Sequence, residues 1–277
     1  MISTLYDACT LYGVPVARAA LVSLSPMTKS TQHSSARMLV GCAGWTIPRE
    51  AAAAFPIEGS HLERYAAVFG TVEINSSFYR PHQAKTYERW AASVPDDFRF
   101  SVKLPRSITH DAKLAGIDAP LAQFAREAGT LGDKLGCILV QLPPKLGFDA
   151  GVAGDFFDRL QDTFGCTIAC EARNPGWFGE EASALLRERG VTRVIADPAK
   201  GQEGPHVPTT ASIYVRLHGS PRIYYSSYGP EYSAQLARDM QVHAAAGRTV
   251  WIIFDNTASG AAVSDALLVQ HGATVLD

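Results

Sequence analysis

The chain has 277 residues, 47% apolar and 19% charged, with a formal net charge of −2 at pH 7. Such a composition excludes a disordered or fibrous chain, and the near-zero charge gives no overall attraction to nucleic acid or to a membrane surface. The length suits one closed α/β barrel, which typically needs about 250 residues.

Residues 1–37 differ from the rest and read as a loosely structured extension. MISTLYDACTLYGVPVARAALVSL lacks a basic leader, is interrupted by Arg18 and is too short to span a bilayer. The Ser/Thr-rich TKSTQHSSAR that follows reads as a linker; a natural start at Met27 would remove the first stretch and one at Met38 would remove both. From Met38 to Asp277 the sequence reads as a single domain. Eight short apolar runs follow one another: MLVGCA (38–43), TVEIN (71–75), FRFSVK (98–103), GCILVQL (136–142), CTIACEA (166–172), TRVIAD (192–197), SIYVRLH (212–218) and TVWIIFD (249–255). Amphipathic helical stretches lie between them, including SHLERYAAVF, KTYERWAASV, PLAQFAREAGTL and YSAQLARDMQVHAAAG. Strand then helix, eight times over, predicts parallel strands closed into a TIM-like (β/α)8 barrel. PAKGQEGPHVPTTA, between the sixth and seventh runs, holds too much Gly and Pro for a helix, so one outer helix is expected to be irregular.

No GxGxxG follows the first run and no P-loop pattern is present, so no nucleotide cofactor is expected. The five cysteines have no paired spacing. Cys137, Cys166 and Cys170 lie in apolar runs and read as small buried hydrophobes in a reducing, cytoplasmic setting.

Polar residues gather where the runs end: Glu73 and Asn75, Ser101 and Lys103, Gln141, Glu171 and Arg173, Asp197, Arg216 and His218, Asp255 and Asn256. Several of these pairs are two apart and therefore share one face of a strand. In a barrel they would line the mouth, with Val72 and Ile74 facing outward. Asn75, Asp255 and Asn256 would serve equally as caps of the following turns, and Glu171 with Arg173 as a plain buried ion pair. Trp45, Tyr79 and Tyr228, beside Arg80 and Arg222, offer aromatic platforms near cations. They suit a sugar-like anion or single-stranded nucleic acid, or simply pack their loops.

The motifs GCAGW, TVEINSSFYR, FRFSVKLPRSITH, QLPP, CEARNPGW, YVRLHG and WIIFDN occur in that order. They resemble the family called domain of unknown function 72, or YecE-like, from about Leu39 to the last helix. The resemblance implies a TIM-like barrel of unassigned activity, likened to endonuclease IV and to xylose isomerase. Where that family usually carries Asn-Asn after the eighth strand, this chain has Asp255 and Asn256.

The main functional expectation is a metal-independent hydrolase or lyase acting on a small anionic or sugar-like molecule. Glu73 or Glu171 would be the general acid/base, with Lys103 as the third catalytic group and, with Arg173 and Arg216, a hold on the anion. Asn75, Gln141, His218, Asp255 and Asn256 would orient the substrate, and Trp45, Tyr79 and Tyr228 would flank it. The two glutamates, on nearly opposite strands, leave room for the roughly 6.5–9.5 Å of an inverting carboxylate pair. Only His218 among the histidines ends a strand, so no metal centre is expected. A nucleic-acid-binding or phosphodiester-cleaving barrel and a non-catalytic ligand-binding protein are the alternatives.

Overall fold

The computed structural model describes residues 37–274. All eight apolar runs form strands, the sixth in two pieces: β1 (Arg37–Cys42), β2 (Thr71–Ile74), β3 (Arg99–Lys103), β4 (Leu135–Gln141), β5 (Thr167–Glu171), β6 (Thr192–Arg193), β7 (Ile195–Asp197), β8 (Ile213–Leu217) and β9 (Thr249–Phe254). Among the described residues seven α-helices alternate with them: α1 (His61–Ala66), α2 (Ala84–Ala92), α3 (Asp118–Ala128), α4 (Ala150–Thr163), α5 (Glu180–Glu188), α6 (Gly229–Ala245) and α7 (Ala261–Thr274). Between β7 and β8 there is none, as the Gly/Pro-rich crossover predicts. The extension expected over 1–37 lies outside the described residues, apart from Arg37. No helix among the described residues is long and apolar enough to cross a membrane.

Every strand pairing is parallel. The ladders do not run around one continuous eight-membered ring; they make two sheets, ordered β1-β9-β8-β7 and β2-β3-β4-β5-β6. The sixth run is where the chain changes sheets. Thr192 and Arg193 pair with β5, Ile195 to Asp197 pair with β8, and Val194 between them donates to the Cys170 carbonyl at 3.0 Å. On the opposite side the sheets meet through one parallel bridge, Ala43 to Glu73.

Two apolar clusters follow from the period-two alternation of strand side chains. Val72, Ile74, Val102, Ile138 and Val140 pack outward with helix residues such as Tyr65, Phe156 and Leu186. A second, smaller cluster joins Leu39, Cys137, Leu139, Ala169, Val194, Tyr214, Trp251 and Ile253. Its members come from both sheets, so the sheets enclose it between them. Cys42, Cys137 and Cys170 are buried, Cys166 is half-buried, and all four are free thiols.

The β1–β2 junction is close and sparsely bonded. The Tyr65 hydroxyl accepts from the Cys42 amide at 2.7 Å and donates to the Thr71 carbonyl at 3.1 Å, fastening one strand to the other from α1. A Cβ at Gly41 would lie 2.1 Å from the Thr71 oxygen and 2.9 Å from the Tyr65 hydroxyl. Gly41→Ala is therefore expected to cost about 1–3 kcal/mol by overpacking. Tyr65→Phe, which strands two buried backbone groups, should lose about 1–3 kcal/mol as well. Urea denaturation of both variants checks this; wild-type midpoints would contradict the fastening role.

Candidate functional site

Inward-facing side chains become polar near the carboxyl ends of the strands. Tyr214, Arg216 and His218 share one face, with β8 holding the first two and its carboxyl end the third. Arg216 is completely buried, and its guanidinium meets carboxylates from three other places in the chain. Its Nε and Nη2 donate to the two oxygens of Glu73 on β2, at 3.0 and 2.6 Å. Its Nη1 donates to Glu171 on β5. Nη2 also donates to Asp255, just beyond β9, at 3.1 Å. The planar fork of an arginine suits such an arrangement, since its donors are fixed in direction and remain charged.

Around this hub the remaining lone pairs are nearly all used. Glu73 also accepts from the Tyr214 hydroxyl at 2.9 Å, and that hydroxyl lies 2.7 Å from Ser101 Oγ. Glu171 accepts from Gln141 at 3.1 Å and from Arg173 Nε at 2.9 Å. Its burial raises the carboxyl pKa, but Arg216, His218 and Arg173 outweigh burial and hold it well below the usual range. The space between the two glutamates, which an inverting pair would leave for water and sugar, is filled by the guanidinium.

His218 faces a carboxylate at each ring nitrogen: Nδ1 lies 2.9 Å from Asp255, and Nε2 lies 3.3 Å from Glu171. Carboxylates only accept, so an imidazolium, donating from both nitrogens, satisfies both contacts and outweighs the Arg216 Nη1 that lies 3.5 Å from Nε2. Burial pushes its pKa down, and the bonds to Asp255 and Glu171 overcome that push and raise it. Asp255 is held low, its burial being outweighed chiefly by Arg216 and His218. With His218 protonated, Glu73, Glu171 and Asp255 stand against Arg216, Arg173, His218 and Lys103, leaving one positive charge in excess.

Lys103 ends β3, 6% exposed, with its ammonium 4.3 Å from the centre of the Phe78 ring. Asn75 donates to Asp255 at 3.3 Å, while its side-chain oxygen is sealed from solvent with no partner. Beside Glu171, Arg173 and His218 lies a narrow recess of about 10 Å³, capped by Tyr224, with room for little more than one water molecule. Tyr224 holds φ at 70°, unusual for a bulky residue, and turns its ring edge-on to His218. A larger cleft of about 340 Å³ opens beyond Phe78 and is walled by Tyr79, Arg80 and Arg106.

The candidate residues thus divide. Glu73, Asn75, Gln141, Glu171, Arg173, Arg216, His218 and Asp255 form one bonded network, with Lys103 next to it. Tyr79 is 79% exposed on the larger cleft. Trp45 packs edge-on against Trp90, and Tyr228 stacks on Tyr232 with its hydroxyl on Asp197. Asn256 is wholly buried and braces a loop through the Ser226 carbonyl and Asp265. Sequence reasoning did not mark Tyr214 or His110 as site residues. Tyr214 carries the same alternation as Arg216 and His218, which was signal enough. His110 sits in a single π-helical turn, Ser107–Asp111, that no periodicity announces.

The molecule is thus a parallel α/β protein whose buried charges converge at the carboxyl ends of its strands. It belongs to the family described as protein of unknown function DUF72, whose model matches residues 39–275. The chain is 35% identical over 142 residues to UPF0759 protein YecE of Escherichia coli (strain K12), covering 49% of this chain and 52% of that protein. It is 28% identical over 176 residues to UPF0759 protein YunF of Bacillus subtilis (strain 168), covering 57% and 61%. The alignments thus span between half and two thirds of these relatives. A solved DUF72 family protein from Enterococcus faecalis v583 superposes with a TM-score of 0.73 at 19% identity, covering 86% of this chain and 96% of that one. One from Thermotoga maritima MSB8 gives 0.70 at 24%, covering 87% and 99%. At these identities the likeness establishes the fold alone.

Two outcomes are expected. Arg216→Met, which leaves three buried carboxylates without their shared cation, should lose about 3–5 kcal/mol in urea denaturation; a loss under about 1 kcal/mol would refute the hub. A histidine whose folded pKa is raised stabilises the protein below its ordinary value of about 6.5, and that contribution fades as pH rises through the folded value. Melting temperature should therefore fall as pH rises above about 6.5, and His218→Gln should flatten that slope.

Proposed function

We propose that this chain is a metal-independent enzyme, a hydrolase or lyase, acting on a small anionic or sugar-like molecule at the carboxyl ends of its strands. We read the two sheets as arcs of one TIM-like barrel. The direct continuation of β6 into β7, the Ala43–Glu73 bridge and the enclosed Trp251 cluster support that reading.

The observation that carries the functional reading is the uneven use of the charges. Glu73, both of whose oxygens are taken by Arg216 and Tyr214, acts as the post that holds the guanidinium. Glu171 and Asp255 spend their lone pairs on Arg216 and His218, which leaves them poor ligands for a metal ion. Among the described residues no group of three or more His, Cys, Asp or Glu is disposed to hold one. What faces the mouth without a carboxylate of its own is cationic: Lys103, with the free edge of Arg173 beside the His218 that Asp255 and Glu171 hold. An anionic substrate is attracted there, and the proton of His218, held between Glu171 and Asp255, reaches it only when one of those carboxylates gives up its contact.

A second reading has one observation in its favour. Tyr79, Arg80 and Arg106 on the open cleft offer a stacking face beside two cations, as a single-stranded nucleic acid would use. Asp111 and Glu127 on the same walls oppose it.

Thermal-shift measurements with phosphosugars, organic acids and oligonucleotides separate these readings. A ligand at a hundred times its dissociation constant adds about 2.7 kcal/mol, or several degrees for a domain of this size. A small anion is expected to give that shift, and Arg173→Met to remove most of it. Stabilisation by oligonucleotides alone would overturn the small-anion reading.

A further inference from the structure

We propose that Lys103 forms a reversible imine with the substrate, which makes the substrate class an aldehyde or ketone that also bears a carboxylate or phosphate. This rests on the small-anion reading above and narrows it.

The cations of the cluster are not equivalent. Arg216 and Arg173 are committed to carboxylates. Lys103 is almost as buried, yet among the described residues it has no carboxylate oxygen within 4.0 Å and no hydrogen-bond acceptor; it has only the face of Phe78. A structural lysine in this protein is built differently. Lys134, partly buried, spends its ammonium on the Ala91 and Val94 carbonyls at 2.9 and 2.7 Å. An amine sheltered without a counter-ion is costly to keep charged and is the form in which lysine attacks carbonyl carbon. Burial first, and Arg216 next, pull the Lys103 pKa down to about 8, against the opposite pull of Glu73, Glu171 and Asp255. Lys103 is not wholly closed off, since the residue keeps 6% of its surface exposed.

Two histidines of opposite character lie in the same cluster: His110 shares the Phe78 ring with Lys103, and His218 is held by Glu171 and Asp255, whose charges act on Lys103. His218 is the imidazolium described above. His110 packs edge-on against Phe78, whose ring face meets Lys103, and burial with the nearby cations Arg106, Lys103 and Arg173 lowers its pKa. Groups whose environments push their pKa values apart divide acid from base. Neutral Nζ adds to the carbonyl carbon: the N–C bond forms, the π pair moves to oxygen, and oxygen takes a proton from His218. Nitrogen passes its extra proton to His110, which returns it to the carbinolamine hydroxyl. Water leaves as the C–O bond breaks, and the nitrogen lone pair closes the C=N bond. The net change is one water released, with the positive charge of His218 transferred to the iminium.

The test is reductive trapping with glyoxylate and sodium cyanoborohydride, followed by peptide mapping, alongside thermal shift by oxalate, an anion of similar size that forms no imine. A carboxymethyl group is expected on Lys103, half-maximal near pH 8, with roughly a hundredfold preference over ordinary lysines at pH 7.5, where those are almost wholly charged. Lys103→Arg should take no label while oxalate still raises its melting temperature. If that variant does not fold, the position of the label in the wild-type map decides alone. Label spread evenly over the lysines, or absent from Lys103, overturns the imine. Oxalate stabilisation without Lys103 labelling would leave the small-anion reading standing, and selective labelling without oxalate stabilisation would keep the imine chemistry of Lys103 but overturn the carboxylate or phosphate of the substrate class together with that reading.

Discussion

One guanidinium organises this molecule. Arg216 lies wholly inside the protein and is answered by Glu73, Glu171 and Asp255, which reach it from β2, β5 and the end of β9. Desolvating four charged groups is repaid only when all are in place, so the arrangement demands the correct register of several strands at once. Its state then dictates its neighbours. Glu171 and Asp255, kept ionised, draw a proton onto His218, and the same crowding leaves Lys103 as a cation without a partner of its own.

The enclosed interior has two levels, and Tyr214 joins them. Its ring stacks on Trp251 in the apolar level, while its hydroxyl reaches Glu73 and Ser101 in the polar one. A phenol is suited to that position because it buries a large apolar body and still donates one hydrogen bond. The lower level supplies burial energy and rigidity, and the upper level spends part of that stability on charges.

Much of this was legible in the sequence, and the limits have physical causes. Strand periodicity put Glu73 with Asn75, Ser101 with Lys103, and Arg216 with His218 on common faces, and all eight runs became strands. Periodicity does not reveal which charges neutralise one another, so Glu73 and Arg216 read as free site residues although each is buried on the other. Trp45, Tyr228 and Asn256 looked like pocket walls because loop aromatics and amides have the same composition whether they meet a ligand or pack a loop. The change of partner at Val194 left no mark, since one Val in an apolar run looks the same paired to either side.

The two junctions between the sheets are unequal. At Val194 the connection is the covalent chain itself; at β1 and β2 it is a single bridge and the Tyr65 hydroxyl. Glu73, whose two oxygens make the bidentate grip on Arg216, sits on that weaker side. Local opening of the protein therefore has a preferred place, like a bracelet that parts at its clasp, and each such opening loosens the charge network first.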